Sequence, residues 1–171
     1  SEVLDFAYLN SSYQTGFRNL LDSAMDKHAE AKEIKKLTRE YKKIDELPFD
    51  FIRKRLSVIV KHQKGKTILI CQRAVAEVLS ICTHYSLKDK THKLAFDDVE
   101  KLTGMDIEFI KDGFRVIAVA YREIEHNRTH FVTKDENNLT FIGFMTFFDP
   151  PKESAAPAIA DLRKHGIAVK V

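Results

Sequence analysis

Apolar side chains change their spacing several times along this chain, and each change marks an expected element. Phe17, Leu20, Leu21, Ala24 and Met25 recur every three or four residues, which predicts an amphipathic helix over about 15–27. Ile34, Leu37 and Tyr41 extend a second helical pattern through a lysine-rich, solvated segment. KIDEL then reads as a strand that Pro48 should end, because proline offers the ladder no donor. RLSVIV and TILIC flank HQKGK and predict a hairpin closed at Gly65. AVAEVLSICTHY places Val75, Val78, Leu79 and Cys82 on one helical face. FDDVEKLTGMDIEFIKDG predicts a further helix, with Asp97 as its cap and Gly113 as its stop. FRVIAVAY and LTFIGFMTFF are long, rich in β-formers, and separated by the polar loop around EHNRTHFVTKDENN.

Strands joined by hairpins, with helices inserted in ones and twos, favour an α+β fold with a largely antiparallel sheet up to about residue 148. Composition shifts at DPPKESAAPA. Asp149-Pro150-Pro151 contains two residues of fixed φ and makes a stiff bend. A helix over about 153–165, Gly166 and the strand IAVKV then read as a helix–strand unit of the α/β kind. A boundary is therefore expected at 149–151, dividing the chain into 1–148 and 149–171. AVKV stops in what reads as a strand with no polar tail, so a piece of a longer protein is expected.

Composition narrows the picture only slightly. The chain has 171 residues, 44% hydrophobic and 31% charged, enough for a core and an ordinary solvated surface. A net charge of +3 does not single out nucleic acid as the partner. No apolar run approaches the ~20 residues of a membrane span. Cys71 and Cys82 lack metal-like spacing and read as two reduced thiols.

Several candidate motifs dissolve on inspection. Gly65-Lys66-Thr67 would need a glycine where Val60 stands and a helix where TILIC reads as a strand, so it is a hairpin turn rather than a phosphate loop. His126 and His130 are four apart but lack both a helical pattern and the glutamate of a zinc-binding helix. Two places hold more. Arg115 shares a strand face with Ile117, Val119 and Tyr121, and an arginine near a core is either snorkelling to solvent or contacting a phosphate or base. In LPFDFIRKRLSVIV, Phe49, Phe51 and the run Arg53-Lys54-Arg55 lead directly into a strand. This is either a core phenylalanine beside a solvated strand entry, or a site for a flat anionic ligand.

Taken in order, LPFDFIRKRLSVIV, ILICQRAVAEVL, DGFRVIAVA and FFDPPKESAAPAI resemble the nucleotide-binding domain of P-type ATPases. SYQTGFRNLLD and the wording PFDF-IRKR-LSV look most like the bacterial magnesium-transporting branch, and the likeness runs from about residue 12 to the end. The resemblance implies a twisted antiparallel sheet of about six or seven strands flanked by helices, followed by a short helix–strand piece of the phosphorylation domain. It implies ATP as ligand and leaves open whether Mg²⁺ accompanies the nucleotide. Phe49 would stack on adenine, Lys54 would lie near the phosphates, Gln72 and Arg73 would line the base pocket, and Arg115 would reach across the nucleotide. Asp149, Pro150 and Pro151 would form a hinge. The aspartate that takes the phosphoryl group, in a DKTGT sequence, is not in this chain, so the chain alone should not hydrolyse ATP. The implied partners are the phosphorylation and actuator domains of the same polypeptide, at the cytoplasmic face of the bacterial inner membrane. The piece itself is expected to be soluble and monomeric.

Two departures qualify the likeness. Gln72-Arg73-Ala74 stands where the family usually has Lys-Gly-Ala, which removes a charge and replaces a small residue with a bulky one. Gln14-Thr15-Gly16 stands where many pumps carry Pro-Thr-Glu, so a usual glutamate contact to adenine is missing. Three other readings remain: a calcium or proton pump branch; a domain with impaired nucleotide binding serving interaction or regulation; and single-strand nucleic-acid binding through Phe49, Phe51 and the RKR run.

Overall fold

The computed structural model describes residues 2–15, 31–125, 128–148 and 154–169. The chain first forms helix α1 (Glu2–Tyr13) and helix α2 (Ala31–Glu40). Strands β1 (Tyr41–Leu47), β2 (Arg55–His62) and β3 (Thr67–Arg73) follow. A short helix α3 (Val75–Leu79) leads to β4 (Cys82–Leu87) and β5 (Lys90–Lys93). Helix α4 (Phe96–Lys111), β6 (Phe114–Ile124), β7 (Leu139–Phe148) and helix α5 (Ala155–Lys164) complete the described elements. The seven strands form one sheet in the order β1-β2-β3-β6-β7-β4-β5. Every pair is antiparallel except β4 with β7. The α+β fold expected from the sequence is therefore present, with helices on both faces.

The sheet buries both sides, which explains why its central strands read as apolar runs rather than strict alternation. β3 is buried at every position. On one face Ile59, Leu69, Cys71, Ala118 and Phe141 pack with Val75, Val78 and Leu79 of α3. On the other, Val58, Val60, Ile68, Ile70, Ile117 and Val119 pack with Phe6, Ala7, Tyr8 and Leu9 of α1. Each such aliphatic side chain contributes about 1.5–3 kcal/mol by leaving water. α1 comes close because Gly143 has no side chain: a Cβ there would sit 3.0 Å from Val3 Cγ2, at a φ of +156°. Asn10 Nδ2 donates to the Ile70 carbonyl (2.8 Å), and Tyr13 Oη donates to that of Tyr41 (2.6 Å), fixing the helix across the sheet.

Several sequence expectations need correction. The helix foreseen over 15–27 lies almost wholly outside the described residues, and α1 was not foreseen. Tyr41 does not continue the second helix; it opens β1, where it faces His62 across the ladder. AVAEVLSICTHY is not one helix. It stops after five residues, and Cys82 begins a strand because β7 offers it a parallel partner. Asp98, not Asp97, caps α4, its carboxylate accepting the Ala95 N–H at 3.0 Å. Gly113 does end that helix, at φ +85°, a region open to glycine at little cost. The hairpin at Gly65 forms as expected, closed by His62 N–H to Lys66 O at 2.8 Å. Residues 167–169 form no strand. The hinge Asp149-Pro150-Pro151 lies outside the described residues.

Candidate functional site

The loop between β1 and β2 begins at Pro48 and is folded by Asp50. Its Oδ1 accepts the backbone N–H of Ile52 (2.9 Å) and Arg53 (2.8 Å), and its carbonyl accepts that of Lys54 (2.9 Å). The Arg53 backbone N–H first, with the Arg53 side chain and the Ile52 N–H, holds the Asp50 carboxyl below its ordinary range. The loop presents Phe49, 41% exposed, edge-to-face with Phe51 at 5.4 Å. Phe49 is thus not the core residue of the simpler reading; it offers an accessible aromatic surface.

The three cations of the RKR run separate into two kinds. Arg53 and Arg55 turn inward to the buried carboxylate of Glu136, with Arg53 NH1 at 2.6 Å and Arg55 Nε at 3.0 Å from the same oxygen. Ser57 Oγ donates to the other oxygen at 2.7 Å. Burial opposes the Arg53 charge, but hydrogen bonding and attraction from Glu136 and Asp50 outweigh it and raise its pKa. Lys54 alone of the three points outward, with 59% of its side chain exposed and Nζ 3.2 Å from Glu77.

At the end of β3, Gln72 faces the α1 side of the sheet between Leu56 of β2 and Val119 of β6. It is completely buried, and neither its amide nitrogen nor its oxygen has a hydrogen-bond partner among the described residues. Arg73 has φ +136° and is 6% exposed, and its NH2 reaches Gln14 Oε1 at 3.3 Å. The bulky residue at the usual glycine position therefore fills space rather than projecting a charge into water. Beside Phe49 lies a cavity of about 10 Å³ lined by Gln14, Glu46, Leu47, Pro48, Phe49, Leu56 and Ser57, with neither Gln72 nor Arg73 in its lining. That volume is about one water's worth, so the site is closed in this conformation.

Glu46, which the sequence did not single out, borders the cavity and accepts Thr15 N–H (2.9 Å), the Thr15 hydroxyl and Lys43 Nζ (2.8 Å). Burial pushes its carboxyl up, yet the Lys43 and Thr15 hydrogen bonds bring it below the ordinary range. Arg115 is exposed, as a strand-end arginine reaching solvent would be. It shares the α1 face with Val119 and lies four residues along β6, a distance of about 13 Å at strand rise. The structure thus gathers Phe49, Lys54, Gln72 and Arg73 at one end of the sheet, with Arg115 farther along the same face. His130 is 3.6 Å from Asp45, and His126 lies outside the described residues. Among the described residues no cluster of His, Cys, Asp or Glu could hold a metal.

Comparison with known proteins identifies the family. Residues 3–154 match the family described as "P-type ATPase, cytoplasmic domain N". The chain is 42% identical to "Magnesium-transporting ATPase, P-type 1" of Salmonella typhimurium, over 100% of this chain and 19% of that protein. It is 36% identical to the protein of that name from Escherichia coli K12, over 99% of this chain and 19% of the relative. "Calcium-transporting ATPase 1" of Lactococcus lactis is 32% identical over 73% of this chain and 14% of the relative. The chain spans about a fifth of the length of the magnesium-transporting relatives. With nine-tenths of its residues matched by that family, and the sheet the sequence resemblance implied, the chain belongs to the P-type ATPases as their cytoplasmic domain N.

Proposed function

We propose that this domain binds ATP at the Phe49–Gln72 end of its sheet and serves a magnesium-transporting pump. Support for the transported ion comes from the magnesium-transporting relatives, which align over the whole chain, whereas the calcium-transporting one aligns over 73%. The observation that carries the binding reading is Gln72. Its buried amide has no partner among the described residues, which costs on the order of 1–3 kcal/mol, and a purine edge presents the donor and acceptor that would satisfy it. Phe49 supplies a stacking face, Lys54 an outward ammonium for the phosphates, and Arg115 a second cation along the same face. Any Mg²⁺ arrives on the phosphates. The phosphoryl group passes to an aspartate outside this sequence, so the domain's contribution is to position the nucleotide. Its partners are the phosphorylation and actuator domains, joined through the hinge at Asp149, Pro150 and Pro151, on the cytoplasmic side of the bacterial membrane. Among the described residues no helix is long and apolar enough to cross a membrane.

For adenine to enter, the cavity must widen, by Phe49 moving outward or by Arg73 leaving Gln14. That opening cost predicts weak binding, with Kd roughly 0.1–5 mM, or about −5 to −3 kcal/mol. An amide NMR titration with ATP should shift Phe49, Lys54, Gln72, Arg73 and Arg115 and saturate in that range. The closed cavity favours one other reading, a domain whose nucleotide site is shut and which acts through protein contacts. The absence of shifts at several millimolar ATP would end the first reading and favour this one.

A further inference from the structure

Lys54 holds a left-handed backbone, φ +48°, which a lysine adopts only when its surroundings impose it. The residues on either side of it, Arg53 and Arg55, both end on Glu136, and Ser57 joins them there. Arg53 extends the hold to the start of the loop, donating to the Pro48 carbonyl at 2.6 Å and pairing with Asp50. Arg55 NH1 reaches the Glu77 carbonyl at 3.2 Å, while Ala74 N–H donates to the Lys54 carbonyl at 3.3 Å. With its neighbours drawn inward and its backbone pinned beside β3, Lys54 has one direction left, outward.

Glu136 is itself held firmly. It directly follows a 3-10 turn (Thr133–Asp135), in which Asp135 accepts both terminal nitrogens of Arg128 at 2.9 Å and the Val132 N–H at 2.8 Å. Arg128 lies over the ring of Phe131, 4.9 Å from its centre, and Phe131 is buried in the core. The Glu136 side chain is wholly buried and its two oxygens take three donors.

We propose that Glu136 is a positioning residue for nucleotide binding: it fixes the 48–54 loop so that the Lys54 ammonium stands where the phosphates come. This inference rests on the ATP-binding reading, and goes beyond it by assigning a task to a residue that touches no ligand. A merely structural ion pair would stabilise the fold without linking Glu136 to Lys54 in particular, and the two roles separate experimentally.

The test uses the whole 171-residue chain with Glu136→Gln, which keeps the shape and removes the charge. In the ligand-free protein, exchange of the Lys54 amide proton should quicken at least about tenfold, while Val58 and Val60 exchange as before. ATP affinity should fall about 3- to 10-fold in E136Q, no more than in Lys54→Ala, and less than about twofold further when E136Q is added to Lys54→Ala, because the two act through one contact. If E136Q does not fold, Glu136→Asp keeps the charge, withdraws it by one methylene, and should give the same pattern at smaller size. Wild-type Lys54 exchange in a folded variant overturns the proposal. So do losses that multiply fully with those of K54A. If the unmodified chain binds no ATP, the ATP reading fails, and the Lys54 exchange still decides whether Glu136 sets the loop.

Discussion

Arg73 occupies a backbone conformation with φ +136°, where a side chain is strained and glycine is not. It also reaches Gln14 beside the cavity that a base must enter. Both facts predict the same outcome for Arg73→Gly: a domain as stable as the original or more so, and ATP bound roughly 3- to 10-fold tighter by calorimetric titration. Weaker binding in that variant would show that Arg73 serves the nucleotide as a cation. Lys54 makes a complementary case. Its exposed pairing with Glu77 is worth little in stability, so Lys54→Ala should leave the melting temperature unchanged. It should weaken ATP about 3- to 10-fold and leave adenosine binding as it was. The thiols are the opposite sort of residue. Burial pushes Cys71 and Cys82 up to about 12, so both should resist alkylation at pH 8 until the domain unfolds.

Among the elements, the contact of α1 with the sheet is the most exposed to mutation. Gly143→Leu would drive a side chain into Val3 and should cost on the order of 1–3 kcal/mol in urea unfolding. The link from α1 to β1 through Glu46 carries a pH dependence. Its folded-state pKa is depressed, so its stabilisation is complete above the unfolded value of about 4.3 and is lost as pH falls through the lower folded value. Glu46→Gln should therefore lower stability at pH 7 and flatten the acid limb of the stability–pH curve below about pH 4.5, so that the two proteins converge in acid. Strands β2, β3, β6 and β7 were legible in the sequence because long runs of β-formers have nowhere to go but a two-sided core, whereas β5, a polar KTHK, was not foreseen. α1 was not, since EVLDFAYLNSSY has no clear apolar stripe: Asn10 and Ser11 are buried beside Phe6 and Leu9. The short α3 and β4 were merged for a different reason. What ends the helix is the parallel partner β7, more than fifty residues away, which no local pattern reports.

Across the whole molecule, the site forms where the β1–β2 loop, the end of β3 and the turn before β7 converge. Motif order is what directed the sequence reading to Phe49, Lys54 and Gln72, the proposed contacts. Glu136 was not, since its three partners lie 79 to 83 residues away and a lone acid in KDENN looks like ordinary loop. The same long-range pairing corrects the basic run: charge counting finds three cations for a ligand, while the fold uses two of them internally. The central claim is that this end of the sheet is a working adenine site. Its most direct test is the ATP affinity of the whole chain against that of Phe49→Ala, with unchanged far-ultraviolet circular dichroism as the control. Loss of a stacking face worth about 1–3 kcal/mol predicts binding weaker by roughly 5- to 150-fold. Equal affinities in the two proteins would contradict it and place any nucleotide somewhere else.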